Sequence, residues 1–169
     1  MQLSVPLTAG LLPDQFGKYA TSADLHAGKP KRSFPITIEA APAGTQSLAL
    51  TLVDFDAVPV SGFPWIHWCA ANIPGDTVLI PEDASRSGVL PMVQGRNSNA
   101  GGMVRASDPL VAQGYVGPQP PDQTHAYTLT VYALDTALDL ENGFWLNALR
   151  HAMAGHVLAK ASLDINSRA

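Results

Sequence analysis

Residues 114–135, GYVGPQPPDQTHAYTLTVYALD, join a proline-rich loop to a β-strand. Pro118, Pro120 and Pro121 each fix a φ angle and remove a backbone donor, so the first half of the stretch is rigid, irregular backbone. The second half, 127–134, has side chains that alternate between two faces, which is the period-two pattern of a strand. The stretch therefore predicts a stiff loop that leads directly into a sheet.

His125 and Tyr127 stand where this loop meets the strand. Residues two apart on a strand point to the same face, so the imidazole and the phenol lie side by side. Two polar-tipped rings held by a rigid loop at the mouth of a sheet indicate a binding site.

The rest of the chain has the pattern of a mainly β protein in one domain, residues 1–169. Fourteen prolines and fourteen glycines divide it into short segments. Alternating or continuous apolar runs predict strands at 2–7, 36–39, 47–54, 65–72, 127–134 and 159–165. One apolar stripe at helical spacing predicts a short helix within 142–155. The polar, glycine-rich segment 81–114 has no such pattern, and we expect it to form a wall or a lid.

Composition excludes several classes of function. The net charge is −4 and no strongly basic cluster occurs, which argues against nucleic-acid binding. Cys69 is the only cysteine, lies in an apolar run, and is expected to be a buried, inert thiol. The chain has neither an apolar run of transmembrane length nor a basic leader followed by an apolar core, so we expect a cytoplasmic protein.

Three predicted strands carry side chains that could form one cluster. Asp54 ends the strand 47–54, His67 lies within the next strand, and His125 and Tyr127 open a third. These segments are far apart in sequence, so their meeting is a hypothesis that the sequence alone cannot prove. In such a cluster Asp54 could orient a histidine, and both histidines could donate to an anion in their charged form.

The other histidines have simpler interpretations. His26 lies in a polar loop and is expected to be solvated. His151 and His156 lie near the C-terminal end of the predicted helix, where a cation is favoured.

Five spaced motifs resemble the phosphatidylethanolamine-binding protein family, and more narrowly its bacterial Raf-kinase-inhibitor-like branch. They are DFDAV at 54–58, PWIHWCAANIP at 64–74, GYVGPQPPDQTHAY at 114–127, VYALD at 131–135 and MAGHVLAKASL at 153–163. The resemblance implies an antiparallel β-sandwich with one or two short helices, one of them near the C-terminus.

The resemblance also implies a small pocket for phosphate, sulfate or a phosphoethanolamine headgroup, with no cofactor, no metal and no catalytic residue. Matched motif by motif, the pocket positions are Asp54, Trp65, His67, Gly117, Pro118, Pro120, Pro121, His125 and Tyr127. Some members inhibit a kinase or a protease by binding it, and bacterial relatives are often homodimers, so both kinds of partner are expectations here.

The chain departs from the family pattern at three positions. Phe55 and Val58 replace two prolines of the first motif, and Ala126 replaces the arginine that usually follows the pocket histidine. Without that guanidinium, Asp56 loses its expected partner.

Three functions remain open at this point. The first is non-enzymatic binding of small anionic or phosphorylated ligands, and the second is inhibition of a kinase or protease by protein–protein binding. The third is a small hydrolase or metalloenzyme, because two histidines and one aspartate are also ligand types of zinc and iron sites. No HxH or HxxxH spacing and no G-x-S-x-G motif occurs, so this third function ranks below the others.

Overall fold

We describe the protein from a computed structural model that covers residues 1–169. The chain forms ten strands, which are β1 (Gln2–Ser4), β2 (Leu25–His26), β3 (Lys29–Pro30), β4 (Ile36–Glu39), β5 (Ser47–Asp54), β6 (Trp65–Pro74), β7 (Leu79–Ile80), β8 (Val93–Gln94), β9 (His125–Leu134) and β10 (Val157–Ser167). It also forms four α-helices, which are α1 (Val58–Ser61), α2 (Ala84–Ser87), α3 (Pro109–Ala112) and α4 (Leu146–Ala152).

The strands form a five-stranded sheet, a three-stranded sheet and a separate hairpin. The large sheet has the order β10-β9-β5-β6-β8, the small sheet has the order β1-β4-β7, and β2 pairs with β3. Every pairing between these strands is antiparallel. The expected mainly β, antiparallel fold is confirmed.

The main core lies between the two larger sheets. Leu50 and Leu52 of β5 belong to one buried cluster with Ile36 and Ile38 of β4. A second buried cluster covers the other face of the large sheet, where Leu149 of α4 packs with residues of β5 and β6. All eight residues of β5 are therefore buried, which explains its nearly continuous apolar sequence.

The helices are short, and the longest, α4, lies inside the predicted range 142–155. None of them combines the length and the apolar character that crossing a membrane requires. Predicted strands 36–39 and 47–54 have the observed bounds, whereas the predicted strand 2–7 ends already at Ser4. Cys69 is buried as expected, and burial raises the pKa of its thiol to about 12.

Segment 81–114 is not the structureless stretch that its composition suggested. It contains α2, β8, a 3₁₀ turn at Ser98–Ala100 and α3. The fully buried side chain of Asn97 joins the 3₁₀ turn to α3, because its Nδ2 donates to the carbonyls of Val111 and Gly114 at 2.9 and 3.1 Å and its Oδ1 accepts from the backbone of Asn99. Hydrogen bonds to a buried amide replace the regular pairing that the sequence pattern could have revealed.

Substituting Asn97 should test this organisation. Asn97→Ala removes the side-chain donor of the Gly114 carbonyl and leaves the Val111 carbonyl only the longer bond from Asn99 Nδ2 at 3.4 Å, so we expect the free energy of unfolding to fall by about 2–4 kcal/mol. Chemical denaturation provides the measurement. Asn166→Ala is the matched control, because Asn166 is exposed on β10 and its side chain makes no hydrogen bond, and the change there should stay within about 0.5 kcal/mol. Equal stability of the two variants would contradict a structural role for Asn97.

Candidate functional site

The register of three neighbouring strands brings the predicted site residues together. Asp54, the last residue of β5, lies opposite Trp65 of β6 on one side and Tyr127 of β9 on the other. His67 is two residues after Trp65 and His125 is two residues before Tyr127, so both rings lie near the same end of the large sheet. The cluster that the sequence left as a hypothesis is therefore present in the fold.

These side chains surround a cavity of about 170 Å³. This volume is below the roughly 300–1,000 Å³ of pockets for drug-sized ligands, so the cavity suits a small group. Eight of the nine predicted positions line it, namely Asp54, Trp65, His67, Gly117, Pro120, Pro121, His125 and Tyr127. Seven further lining residues were not predicted, namely Lys29, Ala57, Val60, Ser61, Asn99, Val116 and Gln119.

Pro118 is the predicted position that does not line the cavity. Its carbonyl oxygen instead faces Gly17, only 3.2 Å from the place where a Cβ on that glycine would lie. The proline loop thus contacts the N-terminal segment through Pro118 and the cavity through Pro120 and Pro121.

Gly117 serves the pocket through close packing of its backbone. A Cβ at this position would collide with the carbonyl oxygen of Phe16, so only glycine fits. Its N–H already donates to the carbonyl of Pro30 at 2.9 Å. Gly117 therefore brings the loop close to β3, and its N–H is not free for a ligand.

His125 is held between two carboxylates. Its Nδ1 lies 2.8 Å from Asp54 Oδ2, and its Nε2 lies 2.9 Å from Asp122 Oδ1. Burial alone lowers the pKa of His125, but the hydrogen bonds and charges of Asp54 and Asp122 outweigh it and raise the pKa above its ordinary value. An imidazole that donates from both nitrogens is the charged form, so His125 is a buried imidazolium.

Asp54 is the fixed partner in this arrangement. Its side chain is 5% exposed, and its Oδ1 accepts from the backbone N–H of Ala57 at 3.0 Å while its Oδ2 accepts from His125. Asp54 therefore orients the histidine ring, which is one of the roles that the sequence suggested for it.

His67 has the opposite protonation state. Its Nδ1 donates to the carbonyl of Val116 at 2.7 Å, and its Nε2 has no protein partner. Burial is the main reason why the pKa of His67 falls to about 4, so the ring is neutral near neutral pH. The prediction that both histidines donate in their charged form concerns the anion-bound pocket, and for His67 it requires the ring to take up a proton when the anion binds.

Tyr127 joins the pocket to the core. Its side chain is almost fully buried and belongs to the main core cluster, and its ring meets the ring of His67 edge to face at a centroid distance of 5.0 Å. Burial, followed by the nearby charge of Asp54, raises the pKa of Tyr127, so the phenol stays protonated and can donate.

Lys29 is the most informative residue that sequence reasoning missed. It lines the cavity and makes no ion pair or hydrogen bond through its ammonium group. The two residues between β2 and β3, Ala27 and Gly28, both have positive φ angles of 47° and 73°, which is the geometry of a tight hairpin turn. The Ala-Gly pair was the only local signal for this hairpin, and nothing local linked Lys29 to the cavity.

Two other histidines are paired, contrary to their sequence-based interpretation. His26 Nε2 lies 2.6 Å from Oδ2 of Asp108, the N-cap residue of α3, and this contact connects the β2–β3 hairpin to α3. His26 is therefore not the solvated, unpaired side chain that was expected. His156 Nδ1 lies 2.8 Å from Asp135 Oδ1, beyond the end of α4.

The departures from the family motifs are compensated locally. Asp56 is not left without a partner, because its Oδ2 accepts from the backbone N–H of Ala126 at 2.8 Å. Phe55 is 54% exposed, and Val58 begins α1 directly after the turn that Asp54 caps through Ala57. A carboxylate–backbone contact thus does the positioning that a guanidinium would otherwise provide.

The side chains offer no obvious metal centre. No group of three or more His, Cys, Asp or Glu residues is placed to hold a metal ion. Both ring nitrogens of His125 lie against carboxylates, and Nδ1 of His67 bonds to a backbone carbonyl. The two pocket histidines therefore leave one ring nitrogen, Nε2 of His67, without a protein partner.

Comparison with known proteins gives consistent matches. A family model described as phosphatidylethanolamine-binding protein matches residues 4–168. The uncharacterized protein YxkA of Bacillus subtilis is 48% identical over 157 residues, which cover 93% of this chain and 94% of YxkA. The UPF0098 protein YbhB of Escherichia coli is 35% identical over 124 residues, with 72% of each chain covered.

Two crystal structures have the same fold. YbcL of Escherichia coli, described as a member of the mammalian PEBP family, superposes with a TM-score of 0.76 at 25% identity, covering 99% of this chain and 98% of YbcL. A homologue of the phosphatidylethanolamine-binding protein from Chlamydia trachomatis superposes with a TM-score of 0.75 at 28% identity, covering 94% of this chain and 90% of its own.

The neutral state of His67 predicts a defined acid sensitivity. Its pKa is about 4 in the folded protein and 6.5 ordinarily, so between these pH values the unfolded chain binds more protons. The free energy of unfolding should therefore fall as pH is lowered from 6.5 towards 4, by roughly 3 kcal/mol from this residue.

Denaturant titrations across this pH range should show a flatter dependence for His67→Gln than for the wild type. His151→Gln is the matched control, because His151 is exposed and makes no side-chain hydrogen bond, and it should retain the wild-type slope. Parallel slopes for the wild type and His67→Gln would contradict a buried neutral ring.

Proposed function

The chain belongs to the phosphatidylethanolamine-binding protein family, and from this premise we propose that it binds small phosphate-like anions without catalysing a reaction. The ligand class includes inorganic phosphate, sulfate and phosphorylated headgroups, which share a tetrahedral anion. One observation carries the proposal. Lys29, whose ammonium makes no ion pair or hydrogen bond, and His67, whose Nε2 has no protein partner, line the same small cavity, and the charge of Lys29 acts on the His67 ring.

The charge of the cavity favours an anion. Charge-assisted hydrogen bonds are stronger than neutral ones, and Lys29 has no other partner in the protein. The imidazolium of His125 balances the charge of Asp54 within the protein, so the buried carboxylate does not dominate the field at the ligand. The protonated phenol of Tyr127 is a further donor on the same wall.

His67 supplies a donor that appears only when an anion binds. The free ring is neutral, but a neighbouring negative charge favours the protonated form. The Nδ1–H is fixed on the carbonyl of Val116, so the added proton goes to Nε2 and can be shared with a ligand oxygen. Anion binding is therefore coupled to the uptake of one proton.

The walls of the cavity are arranged before the ligand arrives. Pro120, Pro121 and Trp65 line it with stiff or bulky groups, and Gly117 is fixed by close contacts with two other segments. A preformed, partly apolar pocket loses less freedom on binding and strengthens the hydrogen bonds inside it.

The same geometry favours binding over hydrolysis. Ser61 is the only serine that lines the cavity, and its Oγ engages the backbone carbonyls of Ala57 and Phe63 at 3.0 and 2.8 Å. No histidine contacts this hydroxyl. His125, which is already protonated and held by two carboxylates, is unsuited to act as a general base.

A second function, inhibition of a kinase or protease by direct binding, is favoured by the exposed rim of the cavity. Val60 lines the cavity and is 51% exposed, and the neighbouring Phe55, Val58 and Phe63 are also exposed. Clustered exposed apolar side chains mark surfaces that partner proteins cover. In an activity assay of a purified kinase or protease, the wild-type protein should inhibit the enzyme, and Val60→Ser should no longer do so.

Lys29 should contribute a large part of the anion affinity. Lys29→Met keeps the apolar stem and removes the charge, so it should weaken binding of inorganic phosphate about tenfold to a hundredfold in calorimetric titrations. Lys160→Met is the matched control, because Lys160 is exposed on β10 outside the cavity. Titration with O-phosphorylethanolamine and sedimentation with phosphatidylethanolamine vesicles should show whether the site prefers a free anion or the headgroup of a lipid. Equal affinity of both lysine variants and the wild type would contradict the proposed site.

Proton uptake provides an independent prediction. With sulfate, whose own charge is constant, affinity should rise about tenfold per pH unit as pH falls from about 6.5 towards 5, because His67 takes up one proton. Calorimetry in buffers of different ionisation enthalpy should give close to one proton per sulfate for the wild type and none for His67→Gln. A count of two would mean that His125 is also neutral in the free protein, and a count of zero would remove His67 from the site.

A further inference from the structure

The charged ring of His125 has no free donor in the ligand-free pocket. Asp54 takes its Nδ1 and Asp122 takes its Nε2, so a ligand that uses this ring must replace one of the two carboxylates. The side chain of His125 is only 1% exposed. The two carboxylates that contact the buried His125 ring are therefore part of the pocket, and they determine which ligands can reach this ring.

The two carboxylates are held very differently. Asp54 is 5% exposed and is anchored a second time by the N–H of Ala57, whereas the side chain of Asp122 is 54% exposed and lies in the loop three residues before the histidine. Moving Asp54 away from the ring would leave a buried carboxylate without its donor, whereas Asp122 is half exposed and is hydrated again when it leaves the ring. Asp122 is thus the partner that a ligand can displace.

The loop that carries Asp122 also forms part of the cavity wall. Pro120 and Pro121, directly before Asp122, line the cavity, as does His125 itself. A ligand in the cavity therefore contacts the same loop and the same ring that Asp122 engages.

We propose that Asp122 is an internal competitor for the anion, whose carboxylate occupies Nε2 of His125 until a phosphate-like dianion displaces it. This inference rests on the proposed function, because it concerns the same pocket. Asp122 then sets the affinity threshold of the site and rejects weak monoanions, which carry the same charge as the carboxylate they would have to replace.

The charges around His125 explain why a dianion can win. Asp54 on β5 and Asp122 on the loop face the ring as anions, Lys29 on the β2–β3 hairpin is the nearby cation, and His67 on β6 is neutral. A side chain tethered three residues away has a high effective concentration, so a monoanion of equal strength competes poorly. A dianion gains from Lys29 and from protonated His67 in addition to His125, whereas Asp122 makes a hydrogen bond only to His125 among these three residues.

Removing the competitor should tighten binding. In calorimetric titrations near pH 6, Asp122→Asn and Asp122→Ala should bind sulfate about two- to fivefold more tightly than the wild type, since the ligand no longer has to displace the half-exposed carboxylate. The preference for sulfate over acetate should decrease in both variants. Asp139→Asn is the matched control, because Asp139 is exposed, makes no side-chain hydrogen bond and follows the opposite end of β9.

A second measurement follows the ring directly. In NMR titrations without ligand, the pKa of His125 should be lower in Asp122→Asn than in the wild type. At saturating sulfate the two proteins should titrate alike, because the carboxylate has left Nε2 in the wild type. A difference that persists at saturation would overturn the displacement of Asp122, as would sulfate affinity that is unchanged or weaker in both variants, and the anion site would still stand. If neither protein binds sulfate, the proposed function fails and the competition fails with it, even though the ligand-free pKa difference remains.

Discussion

The buried carboxylate of Asp54 is the constraint on which the site depends. A carboxylate that is almost fully removed from water is stable only when both oxygens have strong donors. One donor is the backbone N–H of Ala57, which fixes the turn after β5, and the other is Nδ1 of His125, which fixes the start of β9. All of β5 pairs with residues Tyr127–Leu134 of β9, and His125 lies just beyond the last pair, so this contact and the sheet register support each other.

The two pocket histidines show how position alone assigns different chemistry to one residue type. His125 meets two carboxylates and is held as a cation, whereas His67 meets a backbone carbonyl in a dry environment and stays neutral. The pocket therefore contains one permanent charge, which the protein itself neutralises, and one ring that can gain a charge with the ligand. Together with Lys29, this arrangement responds to an anion instead of repelling it.

The replacements at three family positions show which part of the scaffold is essential. With alanine at position 126, Asp56 accepts from the backbone N–H of Ala126, so the turn after β5 contacts the start of β9 without a guanidinium. Phe55 is largely exposed to solvent and does not line the cavity. The residues that line the cavity are positioned by the register of β5, β6 and β9 and by the Asp54–His125 hydrogen bond. The three replacements leave both of these features in place.

The sequence by itself determined the main strands of the large sheet, helix α4 and eight of the fifteen residues that line the cavity. Strands β4 and β5 and helix α4 follow from apolar periodicity, which is a local property, and the family motifs identified eight lining residues. Tertiary structure alone decided that Lys29 enters the cavity, that Pro118 faces Gly17 and that Asp122 reaches Nε2 of His125. It also decided the charge of each histidine, because a pKa depends on burial and on partners brought together from distant segments, and no local pattern encodes either of them.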